Sequence, residues 1–227
     1  MRLEPGEPPA GPWRTASPAE LVRRLHDAAG TPVGRPRIVA VDGRGGAGKT
    51  TLVDRLRAEV PSSSVVHTDD VAWHHAFFDW AGLLAAHVLE PLRRGAAVDH
   101  RPQAWERRGR PGSITVPAGL DTVWVEGTGV LRGELASLLD AGIWVQVDRD
   151  DAARRLLGRD GGSAEQLQLV ADWEREEHPF LRREEPWRHA TLVVAGSPVL
   201  GHVPSGHVAV SPPVPGGRRA DRPPGPA

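Results

Sequence analysis

The fold of this 227-residue chain is decided by one stretch near its N-terminal end, Gly43-Arg44-Gly45-Gly46-Ala47-Gly48-Lys49-Thr50. The stretch matches the phosphate-binding pattern G-x-x-x-x-G-K-[ST] at every fixed position. Lys49 is the only lysine in the chain, and arginine occupies the other Lys/Arg positions. A compact ammonium on a flexible stem can enter a tight backbone cradle that a planar guanidinium does not fit. The stretch therefore predicts a binding site for the phosphates of a nucleotide.

The residues on either side supply the context that such a site needs. Residues 38–41 form a short apolar run between Pro36 and Gly43, which is typical of a buried parallel strand. Beyond the loop, apolar residues recur at helical spacing until Pro61. Backbone N–H groups of such a loop, and the helix dipole behind it, favour phosphate, and the hydroxyl after the lysine binds Mg²⁺. The nucleotide-binding residues are thus predicted to be Gly43, Arg44, Gly45, Gly46, Ala47, Gly48, Lys49, Thr50 and Thr51, with Thr50 also a magnesium ligand.

Composition narrows the class of function. The 28 Lys+Arg residues and 29 Asp+Glu residues give a formal net charge of -1, which does not favour nucleic acid as a partner. The chain has no cysteine, which excludes disulfides and thiolate metal sites. Its apolar runs are of strand length, and the N-terminus lacks the apolar core of a signal peptide. We therefore expect a soluble cytoplasmic protein with no membrane contact.

Both ends of the chain differ in composition from the middle. Residues 1–16 and 197–227 are rich in Pro, Gly and charge with little apolar periodicity, which predicts a disordered N-terminal segment and a disordered tail. Removing them should leave the function intact. Between them, residues 17–196 are predicted to form one domain, which begins with the capping box Ser17-Pro18-Ala19-Glu20 and a helix over residues 18–29.

Apolar runs alternate with helical segments through this domain. Further strands are predicted at residues 64–67, 122–125, 143–147 and 191–194, and helices at 49–60, 80–94, 132–140, 150–159 and 164–177. The alternation predicts an α/β fold, a three-layer sandwich with a five-stranded parallel sheet. In such sheets a ligand binds beyond the carboxyl ends of the strands.

Carboxylates follow two of these strands. Glu126 comes directly after residues 122–125, where it could hold Mg²⁺ or could be a charged residue in a turn. Asp69 and Asp70 come after residues 64–67. A carboxylate beside a γ-phosphate can accept the proton of an attacking hydroxyl, and an Asp pair can equally cap a helix.

Arginines follow the strand at residues 143–147. Arg155 and Arg159 lie four residues apart on one face of a predicted helix and could reach a common phosphate. The alternative is a solvated face with Arg–Asp pairs.

Taken in order, these motifs resemble the uridine kinase and phosphoribulokinase group of P-loop kinases, and especially its divergent uridine-kinase-like members. The resemblance covers residues 36–197 and is carried by Val41-Asp42-Gly43, Gly48-Lys49-Thr50-Thr51, Asp69-Asp70, Phe78-Asp79-Trp80, Val125-Glu126-Gly127 and Val147-Asp148. It implies ATP and Mg²⁺ as cofactors, Asp69 as general base and magnesium contact, and Glu126 as the acidic residue after the third strand. It also implies a short lid over ATP that carries Arg154, Arg155 and Arg159.

The acceptor is less well defined than the nucleotide. Uridine kinases carry Phe-Tyr after the catalytic aspartate, whereas here Asp70 precedes Val71-Ala72-Trp73 and the chain has no tyrosine. In residues 100–112, Trp105 could stack on a planar substrate and the arginines could hold an anionic one, and an exposed basic loop is the equal alternative. We therefore predict phosphoryl transfer by Lys49, Asp69, Arg155 and Arg159 to a small molecule with a hydroxyl group, a nucleoside being one candidate. The alternative is a P-loop ATPase or nucleotide-binding regulatory module without such an acceptor. The sequence leaves the oligomeric state open.

Overall fold

The computed structural model describes residues 1–159 and 163–214, without the side chains of Arg159 and Gln166. Its strands are β1 Arg14–Ala16, β2 Arg37–Gly43, β3 Ser63–His67, β4 Val98–His100, β5 Ile114–Val116, β6 Thr122–Glu126, β7 Ala141–Gln146, β8 Leu192–Ala195 and β9 Val208–Ser211. The main sheet has the order β1-β9-β8-β7-β2-β6-β3, and β4 and β5 form a separate hairpin. Strands β3, β6, β2, β7 and β8 are parallel, which confirms the predicted five-stranded parallel sheet.

Helices connect these strands. They are α1 Pro18–Ala29, α2 Lys49–Ala58, α3 Thr68–Ala72, α4 Ala81–Leu84, α5 Glu90–Arg93, α6 Gln103–Arg107, α7 Arg149–Arg159 and α8 Ala164–Glu184. A π-helical segment, Ala85–Leu89, joins α4 to α5. The helix expected at residues 132–140 is instead a 3-10 helix, Gly133–Leu138. It starts at a glycine and buries only Leu135, so it lacks both the propensity and the apolar stripe of an α-helix.

The sheet has an apolar layer on each side. Ile38 and Ala40 of β2 face a cluster with α4, α5 and Phe180, whereas Val39 and Val41 face a cluster with α1 and α2. Because successive side chains of a strand point to opposite faces, a strand buried on both faces is apolar throughout. The predicted three-layer α/β fold is therefore confirmed, with the site-bearing loops at the carboxyl ends of β2, β3, β6 and β7.

Both ends of the chain differ from the predicted disorder. Glu7 is buried, and its Oε1 accepts hydrogen bonds from Trp144 Nε1 (2.7 Å) and Gln146 Nε2 (2.9 Å). Strand β1 pairs with β9, and β9 extends the sheet antiparallel to β8. The buried polar atoms of β7 and the open edge of β8 require these partners, which composition does not reveal. The expectation of disorder is thus corrected for residues 1–16 and 197–214. The rest of the predicted tail, residues 215–227, lies outside the described part of the chain.

Among the helices in the described ranges, none combines the length and the apolar character needed to cross a membrane.

Candidate active site

The phosphate-binding stretch forms a loop between the end of β2 and the start of α2. Gly46 has a φ of 76°, and a Cβ atom there would lie 3.0 Å from the carbonyl carbon of Ala152. Glycine is therefore required both by the backbone conformation and by the close approach of α7. Lys49 is buried, and its Nζ donates to Arg44 O (3.0 Å) and Thr128 Oγ1 (3.1 Å). The ammonium thus lies at the mouth of the loop.

Two predicted magnesium ligands lie next to each other beside this loop. The Thr50 hydroxyl donates to Glu126 Oε2 over 3.3 Å, and His67 Nδ1 lies 2.8 Å from the same oxygen. The parallel register of β3 and β6 places His67 opposite Glu126. Burial opposes ionisation of Glu126, but the hydrogen bond with His67 and the charge of Lys49 outweigh it, so the pKa of Glu126 lies below its usual value. The same hydrogen bond raises the pKa of His67.

A pocket of about 600 Å³ brings most of the predicted site residues together. It is lined by Gly45, Gly46, Gly48, Lys49, Thr50, Thr51, Asp69, Phe77, Glu126, Gly127, Thr128, Arg155, Leu156, Leu169, Val170 and Trp173. Asp69 lies in the first turn of α3, directly after β3, so the strand ends converge as the sequence predicted.

Two of the predicted lid arginines, Arg154 and Arg155, lie in different surroundings. Arg155 lines the pocket and donates to the carbonyl oxygens of Gly196 (2.8 Å) and Gly46 (3.3 Å). Arg154 is exposed and forms an ion pair with Asp151, as expected for a solvent-exposed helix face with Arg–Asp pairs. The predicted side-chain role of Arg159 lies outside the described part of the structure.

Arg44 is buried in an ion cluster rather than facing the pocket. Its guanidinium lies 3.3 Å from both Glu4 Oε2 and Glu177 Oε2, and Glu177 Oε1 accepts the backbone N–H of Gly45 (2.8 Å). His178 Nδ1 also contacts Glu4 (2.9 Å). Helix α8 and the N-terminal segment therefore hold the phosphate loop from behind. Sequence reasoning missed both glutamates because they are far from the loop along the chain.

Trp105, one candidate for stacking on a planar substrate, is covered by other residues of the protein. Trp105 is buried, and its Nε1 donates to Asp70 O (3.0 Å). The guanidinium of Arg110 lies 3.6 Å from the centre of the Trp105 ring and forms a 2.5 Å ion pair with Asp70. Trp105 therefore stacks on Arg110 and not on a ligand, and Asp70 is a structural residue of this cluster.

Asp42 organises the loop that follows β6, a role that sequence reasoning did not assign. Its carboxylate is fully buried and accepts N–H groups from Gly43 (2.6 Å), Gly129 (2.8 Å) and Leu131 (2.7 Å). Burial outweighs these bonds and raises the pKa of Asp42 to about 6. Because Thr128 belongs to the anchored loop, Asp42 fixes the side chain that positions Lys49 Nζ.

The phosphate loop, Lys49, Thr50 and Glu126 fit a nucleoside triphosphate with magnesium. A glycine loop followed by a helix N-terminus supplies N–H groups and a dipole for phosphate, and Lys49 adds a positive charge. Thr50 and Glu126 present oxygen atoms 3.3 Å apart, and Mg²⁺ prefers oxygen ligands with only one or two protein carboxylates.

Comparison with known proteins gives likeness in fold only. No family model and no curated protein matches the chain. A solved structure from Silicibacter sp. TM1040, provisionally described as a fructose transport system kinase, is 19% identical over 75% of this chain and 94% of that protein, with a TM-score of 0.54. A possible uridine kinase from Bacillus stearothermophilus is 18% identical over 77% of this chain and 98% of that one, with a TM-score of 0.48. The resemblance inferred from the motifs is thus confirmed for the architecture: the chain has the fold of the P-loop small-molecule kinases.

Proposed function

We propose that this protein is an ATP-dependent kinase that transfers the γ-phosphoryl group of ATP to a hydroxyl of a small molecule. The observation that carries this proposal is one pocket whose lining includes Lys49, Thr50, Glu126 and Asp69. The first three side chains suit a triphosphate with magnesium, and the fourth is a carboxylate suited to accept a proton.

The proposed reaction is a single in-line displacement. The acceptor hydroxyl loses its proton to an Asp69 carboxylate oxygen while its oxygen attacks the γ-phosphorus. The bond from that phosphorus to the bridging β–γ oxygen breaks, ADP departs with the electron pair, and a phosphate monoester forms. Lys49 neutralises charge on the transferring phosphoryl group. Arg155 adds to this neutralisation once its guanidinium leaves the carbonyl oxygens of Gly46 and Gly196 and binds the phosphate instead. Thr50 and Glu126, with Asp69 in the same pocket, would hold magnesium, which would supply further charge neutralisation.

The lid would protect the reaction from water. Leu156 of α7 lies against the loop, since a Cβ on Gly45 would be 3.2 Å from its Cδ1. Leu169 and Val170 of α8 line the same pocket. Apolar cover over a phosphoryl-transfer site excludes competing water, which favours transfer over hydrolysis.

The test is ADP release from ATP·Mg²⁺ across nucleosides, sugar phosphates and other small hydroxyl compounds, each against a control without acceptor. Stimulation by one class is expected. Lys49→Ala should abolish turnover, and Asp69→Asn should abolish transfer while ATP still binds, because the asparagine cannot accept the proton. Near wild-type turnover in Asp69→Asn would refute the base assignment. Steady hydrolysis that is indifferent to every acceptor would favour an ATPase or a regulatory module instead.

A further inference from the structure

Residues 2–7, which we call the N-terminal strap, contact the phosphate loop, the start of α7 and strand β7. Glu7 fixes the strap to the sheet, because it accepts hydrogen bonds from Trp144 and Gln146 of β7. Within the strap, Glu7 N donates to Glu4 O (2.9 Å) and Glu4 N donates to Glu7 Oε2 (3.3 Å). The strap therefore has a fixed anchor from which its other residues reach the elements around the pocket.

The beginning of the strap caps the N-terminus of α7. The carbonyl oxygen of Arg2 accepts the N–H of Arg149, the first residue of the helix (2.9 Å), and Arg2 N donates to Asp148 Oδ2 (2.6 Å). The Arg2 guanidinium also lies 2.6 Å from Asp150 Oδ1. The first N–H groups of a helix have no partner inside the helix, so these contacts fix the end of α7 to the strap.

Glu4 holds the phosphate loop through Arg44. Both side chains are buried, with 2% of Glu4 and 4% of Arg44 exposed, and Arg44 Nη1 lies 3.3 Å from Glu4 Oε2. Positions 43, 45, 46 and 48 of the loop are glycines, which have large conformational freedom and no side chain that could fix the backbone. Arg44 is therefore the side chain by which the strap can restrain this part of the loop.

The two elements that the strap holds also contact each other. A Cβ on Gly46 of the loop would lie 3.0 Å from the carbonyl carbon of Ala152 in α7. From the same helix, Arg155 donates to Gly46 O over 3.3 Å. Because this contact has almost no free space, a shift of the start of α7 must move the loop as well.

His178 of α8 completes the connection between the strap and α7. Its Nδ1 lies 2.9 Å from Glu4 Oε2, and its Nε2 lies 3.3 Å from the guanidinium of Arg149. Glu4 therefore contacts the loop through Arg44 and the first residue of α7 through His178.

We propose that the N-terminal strap sets the phosphate loop and α7 in the arrangement that binds nucleotide, and that Glu4 is a positioning residue for that site. Glu4 is not among the residues that line the pocket, so it acts through Arg44 and His178. Without Glu4 the loop occupies the binding arrangement for only part of the time, and the apparent affinity falls by that fraction. The inference rests on the nucleotide site of the proposed function and not on the acceptor or the transfer step.

The first experiment measures ADP·Mg²⁺ affinity calorimetrically in the full chain. Glu4→Ala should lower the affinity about tenfold. Glu4→Gln keeps an oxygen acceptor for Arg44 and His178 and should lower it only about threefold. If Glu4→Ala does not fold, Glu4→Gln decides, and wild-type affinity in that variant overturns the inference.

Asp140→Ala is the matched control for loss of a carboxylate that stabilises the fold. The Asp140 side chain is 9% exposed and pairs with Arg35 (2.7 Å) and Arg93 (3.0 Å). It also accepts the N–H of Ile38 (2.9 Å), near the start of β2 and therefore at the edge of the sheet opposite the pocket. This variant should lose stability but keep the ADP affinity of the wild type.

The second experiment measures amide hydrogen exchange by mass spectrometry without nucleotide. Glu4→Ala should speed exchange at least about fivefold in residues 44–49 and also in residues 149–155, about a hundred positions away along the chain. Asp140→Ala should change neither segment selectively. Faster exchange in the loop alone would overturn the coupling between the loop and α7.

The outcomes separate this inference from the proposed function. Wild-type ADP affinity in Glu4→Ala, or an equal loss in Asp140→Ala, would overturn the strap and leave the kinase standing. The expected losses of affinity without phosphoryl transfer to any acceptor would support the strap and count against the kinase. A wild-type chain that binds no ADP would refute both, because both depend on the nucleotide site.

Discussion

Replacing Gly127 by alanine should displace Asp69, the proposed catalytic base, without contacting it. Gly127 follows Glu126, and its backbone packs on Thr68, the residue before Asp69. A Cβ at this position would lie 2.7 Å from Thr68 Cβ and 2.9 Å from Thr68 Cγ2, and it would overlap the hydroxyl oxygen. Carbon atoms pack at about 3.5–4.0 Å, so Thr68 and the start of α3 must move by roughly 1 Å.

The displacement of Asp69 should lower turnover. A misplacement of about 1 Å in a reacting group can lower the rate about 10²-fold, so Gly127→Ala should lose about that much in kcat. ADP affinity should change little, because the phosphate loop is not displaced. Thr68→Ala in the same chain removes the hydroxyl and methyl but not the Cβ, so the double variant should recover part of the loss.

The assay is acceptor-dependent ADP release, with ADP binding measured in parallel. Gly133→Ala is the matched control, because an added Cβ there meets nothing within 4 Å. Turnover of Gly127→Ala within about threefold of the wild type would refute the reasoning, since the strain would then be absorbed without moving Asp69.

Three further predictions concern the residues around the site. Arg44→Ala removes the buried cation between Glu4 and Glu177, and it leaves Glu4 with His178 and the more distant Arg182. It should lower the free energy of unfolding by about 3 kcal/mol in urea denaturation, against about 0.5 kcal/mol or less for the exposed pair in Arg175→Ala. Equal losses would contradict the burial argument. His67→Ala should raise the Mg²⁺ concentration for half-maximal activity about tenfold, because His67 orients Glu126, and an unchanged magnesium dependence would remove that role. The raised pKa of Asp42, about 6 against 3.8, means that the folded state holds this proton more tightly than the unfolded chain. The contribution of Asp42 to the free energy of unfolding is therefore present at low pH and lost as the pH rises through about 6. When the pH is lowered from about 7.5 to about 5, the wild type should gain about 1 kcal/mol of stability relative to Asp42→Asn. A stability difference between the two proteins that does not change with pH would refute this prediction.

The sequence by itself determined the parts of this protein that depend on local pattern. The phosphate loop with Lys49 and Thr50 follows from a contiguous motif, and the parallel strands follow from short apolar runs that are buried on both faces. The placement of Asp69 and Glu126 at one edge follows from their position after neighbouring strands. These signals are readable because each is complete within a few consecutive residues.

The tertiary structure alone decided the contacts between residues distant in the chain. Glu4 and Glu177 reach Arg44 and Gly45 only because α8 and the N-terminal segment fold onto the loop. Trp105, a candidate for stacking on a ligand, is covered by Arg110. The N-terminal segment is ordered because Glu7 accepts hydrogen bonds from the buried side chains of Trp144 and Gln146 in β7. Such pairings depend on which surfaces meet after folding, and no single stretch of sequence carries that information.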